Sequence, residues 1–128
     1  MNAREAFAAW QEAVLTNGSI DHLFADDAII ELPFNPGRPR LNRTEFLTLA
    51  GARATMPVRF DEFRDLVIHD TGDPEVIIAE YSIAGTHTTT GHQATAPFVM
   101  ILRVRNGRIL QLREYQDVPT MTAALAPA

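Results

Sequence analysis

Apolar and polar positions alternate along this chain with two different periods, and the change from one to the other divides it. Phe7, Trp10 and Val14 recur at helical spacing with Arg4, Gln11 and Glu12 between them, which predicts an amphipathic helix at the start. Asn17-Gly18 ends it, with glycine as the usual left-handed stop. Ser19 can cap a short second helix over 20–24. Asp26-Asp27 interrupts, and Ala28 to Phe34 reads as a first strand. The Asn35-Pro36-Gly37-Arg38-Pro39 stretch forbids regular structure. Asn42 followed by Glu45 makes a capping box for a third helix carrying Phe46, Leu49, Ala50 and Arg53, and Pro57 marks its end.

From there the period is two. Strands are predicted over 59–69, 75–88, 94–105 and 108–117. Turns are predicted at Thr71-Gly72-Asp73-Pro74, Thr90-Gly91 and Asn106-Gly107, the last being the strongest hairpin signal in the chain. Residues 119–125 form a short helix or trail off. Helices gathered before a run of antiparallel strands define an α+β fold.

Alternation also assigns faces. Phe98, Met100, Leu102 and Val104 share one side of their strand, opposite Val99, Ile101, Arg103 and Arg105. Matching apolar faces across the hairpin puts Leu110, Leu112 and Glu114 with the first group. Ile109, Gln111, Arg113 and Tyr115 then lie on the other side. Glu114 is left as a carboxylate on an otherwise apolar surface. Of the strand over 75–88, the set Ile77, Ala79, Tyr81 and Ile83 reads as inward, because the Tyr81 phenol is its one polar group. The second sheet face is apolar enough to suggest a homodimer contact.

Composition narrows the chemistry. A chain of 128 residues supports one core and not two, so residues 1–128 are read as a single domain. A formal charge of −5 argues against nucleic acid or an acidic membrane surface as partner. No apolar run approaches the ~20 residues that cross a bilayer, and the N-terminus has no secretory pattern; the cytoplasm is the expected location. With no cysteine, disulfides, thiolate nucleophiles and cysteine metal sites are excluded. Every basic residue is arginine, which removes Schiff-base chemistry and the phosphate-loop lysine. Ser19 and Ser82, the only serines, sit in no nucleophile elbow.

Several strings resemble the nuclear transport factor two-like superfamily. Leu23-Phe24-Ala25-Asp26-Asp27-Ala28 with Glu31-Leu32-Pro33 is similar to a segment of ketosteroid isomerases. Phe63-Arg64-Asp65-Leu66-Val67, Asp73-Pro74-Glu75-Val76 and the stretch from Arg103 to Ile109 followed by Arg113-Glu114-Tyr115 resemble the SnoaL-like branch. That branch includes polyketide cyclases and the PhzA/PhzB proteins. The resemblance implies a cone: a strongly curved antiparallel sheet closed by three helices of the N-terminal half. It implies no fixed chemistry, since this fold hosts isomerases, dehydratases, cyclases, hydrolases and binders. The steroid isomerase constellation is missing. Its base position reads Leu32, its protonated donor falls near Val99 or Met100, and its helix-one tyrosine position holds Trp10 or Gln11. The Asp-Arg-Asp set of the superfamily's epoxide hydrolases is not recognisable. What matches is Glu114, at the place where PhzA/PhzB-like proteins carry a cavity glutamate.

The expectation is therefore a small-molecule enzyme. Glu114 acts as general acid and base on a hydrophobic carbonyl compound, by isomerase, dehydratase or cyclase chemistry that needs no cofactor. The alternative is a non-catalytic ligand-binding or accessory homodimer. Trp10, Phe34, Tyr81, Phe98, Met100 and Leu112 are the candidate lining. His87 and His92 bracket a turn and read as turn histidines rather than metal ligands, with His87 a candidate donor at the cavity rim. Arg38, Arg40 and Arg43 read as a solvated cluster that could also clamp a substrate carboxylate.

Overall fold

Reciprocal caps start the two long helices of this computed structural model, which describes residues 1–126. In α1 (Ala3–Thr16) Asn2 Oδ1 accepts from the Glu5 amide at 2.8 Å, and Glu5 Oε1 accepts from the Asn2 amide at 3.0 Å. Asn42 and Glu45 repeat the arrangement, at the same two distances, in α2 (Arg43–Ala54). At the far end of α1 the left-handed residue is Asn17, with φ 54°, rather than the expected glycine. Asparagine tolerates that region because its short polar side chain can bond locally.

The expected second helix over 20–24 is a single 3-10 turn, Asp21–Leu23. Phe24 is instead the first residue of β1 (Phe24–Glu31), four residues earlier than the pattern suggested, and Pro33 follows its end. After the proline-rich loop a strand of three residues, β2 (Arg40–Asn42), pairs with β1; it is too short to leave a periodic trace. Then come β3 (Val58–Asp70), β4 (Val76–His87), β5 (Gln93–Arg105) and β6 (Arg108–Gln116). The chain continues into α3 (Val118–Leu125), capped by Asp117 Oδ1, which accepts from the Thr120 amide at 3.1 Å. The third α-helix thus lies at the C-terminal end and not in the first half. Asn106 and Gly107 both have positive φ, 53° and 77°, as the hairpin between β5 and β6 requires.

The six strands form one open sheet in the order β2-β1-β6-β5-β4-β3. Its β1–β6 pairing is parallel, with Ile30 opposite Leu112, where a wholly antiparallel sheet was expected. Register shifts interrupt the ladders at Phe60/Glu62, Arg64/Val67 and Arg103/Val104. Such bulges bend a strand and add twist, and they curve this sheet. Asp65 takes φ 55° inside one of them.

The bulge at Arg103/Val104 also corrects a face. Val104 pairs with Ile109, so Ile109 is fully buried and Leu110 is not. Beyond the bulge, alternation holds, and Leu112, Glu114 and Gln116 look inward. The core consists of this inner face and α1, with Phe7, Trp10, Tyr81, Phe98, Met100 and Leu102 among its members. Phe46 anchors α2 against Phe24, ring centroids 5.4 Å apart. On α2 the inward stripe runs Phe46, Ala50, Arg53, while Leu49 turns to solvent. No helix of the described residues is long and apolar enough to cross a membrane.

Candidate functional site

Three neighbouring strands bring the buried polar groups together. Tyr81 on β4 pairs with Phe98 on β5, which pairs with Gln116 on β6. One step along, Met100 lies opposite both Ala79 and Glu114. Same-face neighbours on the diagonal are within reach of long side chains, and the Tyr81 hydroxyl donates to Glu114 Oε2 at 2.7 Å. Gln116 sits two residues beyond Glu114 on the same strand face, and its Nε2 donates to Glu114 Oε1 at 2.5 Å. Asn35, on the loop after β1, donates from Nδ2 to Gln116 Oε1 at 3.1 Å. A chain of four polar side chains thus runs Asn35, Gln116, Glu114, Tyr81 through an apolar interior.

Glu114 is 5% exposed and Gln116 4%. No arginine reaches the carboxylate: Arg113, its sequence neighbour, points to the other face and bonds Glu31 at 3.2 Å. Both donors to the carboxylate, a phenol and an amide, are neutral, which sets the arrangement apart from a structural ion pair.

The phenol is enclosed by rings. Tyr81 stacks on Phe98 at 5.5 Å and an interplanar angle of 13°; Phe63 lies at 5.2 Å, Phe7 at 5.6 Å and Trp10 at 6.0 Å. Burial, and then the adjoining Glu114 charge, push the Tyr81 hydroxyl well above its ordinary pKa, while the Arg53 guanidinium pulls slightly the other way. Tyr81 is therefore a proton-bearing donor throughout the working pH range. Tyr81→Phe removes that donor and leaves Glu114 Oε2 without its partner. We expect a loss of about 1–3 kcal/mol in chemical denaturation; a variant as stable as the parent would show that the bond contributes nothing.

Of the residues expected from sequence, Trp10, Tyr81, Phe98, Met100 and Glu114 meet here, and Leu112 is the next inward residue on β6. Phe34 and His87 stand elsewhere. Phe34 is 66% exposed and lies edge-on to Tyr115, centroids 5.1 Å apart. It edges a groove of about 440 Å3 beside β5 and the end of β6, with Pro97, Phe98, Tyr115, Gln116 and Val118. His87 is buried at the end of β4, where Nδ1 accepts from the Thr89 and Thr90 amides at 3.3 and 3.2 Å. It shapes its own turn. His92 is exposed on the far side of that turn. Among the described residues no group of three or more His, Asp or Glu could hold a metal ion.

The sequence reading missed Gln116, Phe63, Arg53 and Asn35. Period-two alternation from Glu114 reaches Gln116 directly and was available as a signal. Arg53 is half-buried on the inward stripe of α2 and forms no ion pair with a carboxylate of the described residues. Asn35 had no signal, since it lies in a loop whose course depends on Gln116.

An open, curved six-stranded sheet with helices packed on it places the chain among small α+β domains. Residues 3–112 match the SnoaL-like domain, and the chain is a member of that family. It is 26% identical over 119 residues to an uncharacterised PhzA/B-like protein of Pseudomonas aeruginosa, covering 90% of this chain and 84% of that one. It superposes on a candidate isomerase from Bacillus subtilis with TM-score 0.85 and 21% identity, covering 95% of this chain and 91% of the other. With IdmH, a candidate polyketide cyclase from Streptomyces antibioticus, the TM-score is 0.72 and the identity 25%, over 95% and 96%.

Proposed function

We propose that the protein is a small-molecule enzyme of the isomerase or cyclase type, acting on a hydrophobic carbonyl compound with Glu114 as its general acid and base. The single observation that carries the reading is the Glu114 carboxylate, buried among apolar side chains and held by a phenol and an amide with no basic partner. A carboxyl so placed can take a proton and give it back without first breaking an ion pair. The names of the relatives, a PhzA/B-like protein, a candidate isomerase and a candidate cyclase, support the same chemical class.

The step is a proton transfer. Glu114 removes a proton from the carbon next to the carbonyl, and the bonding pair moves into an enolate. In isomerisation the same proton returns at the far carbon of the conjugated system. In cyclisation the enolate carbon attacks a second carbonyl of the substrate, and the proton passes to the new alkoxide. No redox partner is needed. Tyr81 holds one carboxylate oxygen in place. Arg53, aimed inward from α2, supplies positive charge toward the developing enolate oxygen. Trp10, Phe98, Met100 and Leu112 contribute the apolar contacts.

Proton exchange tests this without knowledge of the natural substrate. Cyclic ketones and 1,3-dicarbonyl compounds of one to three rings are incubated with the protein in deuterated buffer, and loss of the α-proton signal is followed by NMR. Wild type is expected to accelerate exchange in at least one of them. Exchange at the buffer rate across the whole panel would favour the non-catalytic binding alternative.

A further inference from the structure

We propose that Gln116 and Asn35 are positioning residues forming a reversible hydrogen-bond circuit, which lets Glu114 change protonation state without losing a hydrogen bond along the chain. The inference rests on the acid–base reading of Glu114 above and names the device that makes such a cycle feasible in a dry interior.

The argument starts from directionality. An ionised carboxylate only accepts, so Gln116 must present Nε2 to Glu114 Oε1. That turns Gln116 Oε1 toward Asn35, which must present Nδ2. Asn35 Oδ1 is then left over, a buried oxygen with no partner among the described residues. Orphaned acceptors of this kind are uncommon in folded proteins and ask for a reason.

A proton placed on Glu114 Oε1 reverses every requirement. The carboxyl now donates, so Gln116 must accept with Oε1, which its terminal amide does by turning half a revolution. Nε2 then faces Asn35, which turns likewise and accepts with Oδ1. The acceptor left over in the first arrangement becomes the working one in the second. The number of bonds along the chain is unchanged, and carboxamide oxygen and nitrogen are nearly isosteric, so neither turn needs the backbone to move. An arginine or lysine at position 116 could serve only the ionised state, and an apolar residue neither. A carboxamide stays neutral and carries its donor and its acceptor on two separate atoms at the tip, so one turn exchanges them.

The other groups facing the carboxyl do not compete for this role. From β4, Tyr81 bonds the opposite oxygen and keeps its proton. Phe7, Trp10, Phe98 and Met100, the large buried side chains of α1 and β5 in the same cluster, carry no charge. The Arg53 charge acts from α2 without bonding either carboxylate oxygen. Arg113 and Tyr115 lie on the far face of β6.

The circuit has a spectroscopic signature that a merely structural pair of amides lacks. In the full chain labelled with 13C and 15N, the Glu114 Cδ signal and the side-chain NH2 signals of Gln116 and Asn35 are followed from about pH 4 to about pH 9. Where Glu114 Cδ moves with pH, both NH2 signals are expected to move with the same midpoint. In Glu114→Gln the two amide signals are expected to stay flat over the same range. The near-isosteric Gln116→Met is expected to slow α-proton exchange about 10- to 100-fold, as loss of a hydrogen bond to a charged group would. Amide signals that stay fixed while Glu114 Cδ titrates would overturn the circuit and leave the acid–base reading intact. A Glu114 Cδ signal that is flat throughout would remove both. Since the titration is read on the wild-type chain, it holds even if a variant fails to fold.

Discussion

Glu114→Gln is expected to lower the rate of α-proton exchange, or of any turnover found, by about 10^2- to 10^4-fold, the usual worth of a positioned general acid–base group. Its fold should survive. The amide of a glutamine at 114 can accept from the Tyr81 hydroxyl with its oxygen and donate toward Gln116, whose own amide turns to receive it. The substitution therefore imitates the protonated carboxyl in shape and bonding while removing the titratable proton. Stability in urea should change by no more than about 1.5 kcal/mol, the net worth of one neutral hydrogen bond. Kinetics and denaturation on the same preparation separate the two effects. A variant that keeps full activity would leave Glu114 a core residue. One that loses activity only because it unfolds would show a midpoint shift to match.

The second large effect concerns stability. Phe7 is 1% exposed and joins α1 to the sheet through Phe63 and Tyr81, with Trp10 of its own helix alongside, centroids between 5.6 and 6.5 Å. Phe7→Ala deletes the ring that all three share. Truncations of this kind cost about 3–5 kcal/mol, part of it for the cavity left behind. A domain of this size has about 5–15 kcal/mol in total, so the loss takes a large share and lowers the melting temperature by on the order of 10–20 °C. It also loosens the stack that fixes the Tyr81 hydroxyl over Glu114, so exchange activity should fall in the fraction still folded. A loss below about 1.5 kcal/mol would mean that the neighbouring rings close over the gap.

Local signals in this chain were legible, and distant ones were not. The box at Asn42 and Glu45, the Asn106-Gly107 hairpin and the inward sets on β4 and β5 each depend on a few adjacent residues. All three agree with the structure. Glu114 was legible twice over, from alternation and from the SnoaL-like string. The parallel neighbour of β1 could not be read, because it is set by where the chain returns after some eighty residues. The bulge at Arg103/Val104 has no one-dimensional trace, and it exchanged the expected places of Ile109 and Leu110. The early start of β1 and the shortness of β2 reflect the same limit: a strand exists where a partner is offered, whatever its own propensity. His87 looked like ligand chemistry because its role, receiving two amides of its own turn, depends on a backbone path that sequence does not give.

The bond between Arg113 and Glu31 spans 82 positions, and the pairing of β1 with β6 around it bears on how the domain is born. During synthesis the first half of the chain leaves the ribosome with β1 able to pair only with tiny β2. The strand that completes its other edge, and with it the inner floor of the fold, is the last of the six to be made. Folding must therefore await the emergence of all six strands, and closing so long a loop slows the search for the native state. Nascent chains halted before Arg108 should stay protease-sensitive, with their apolar strands open to capture by chaperones.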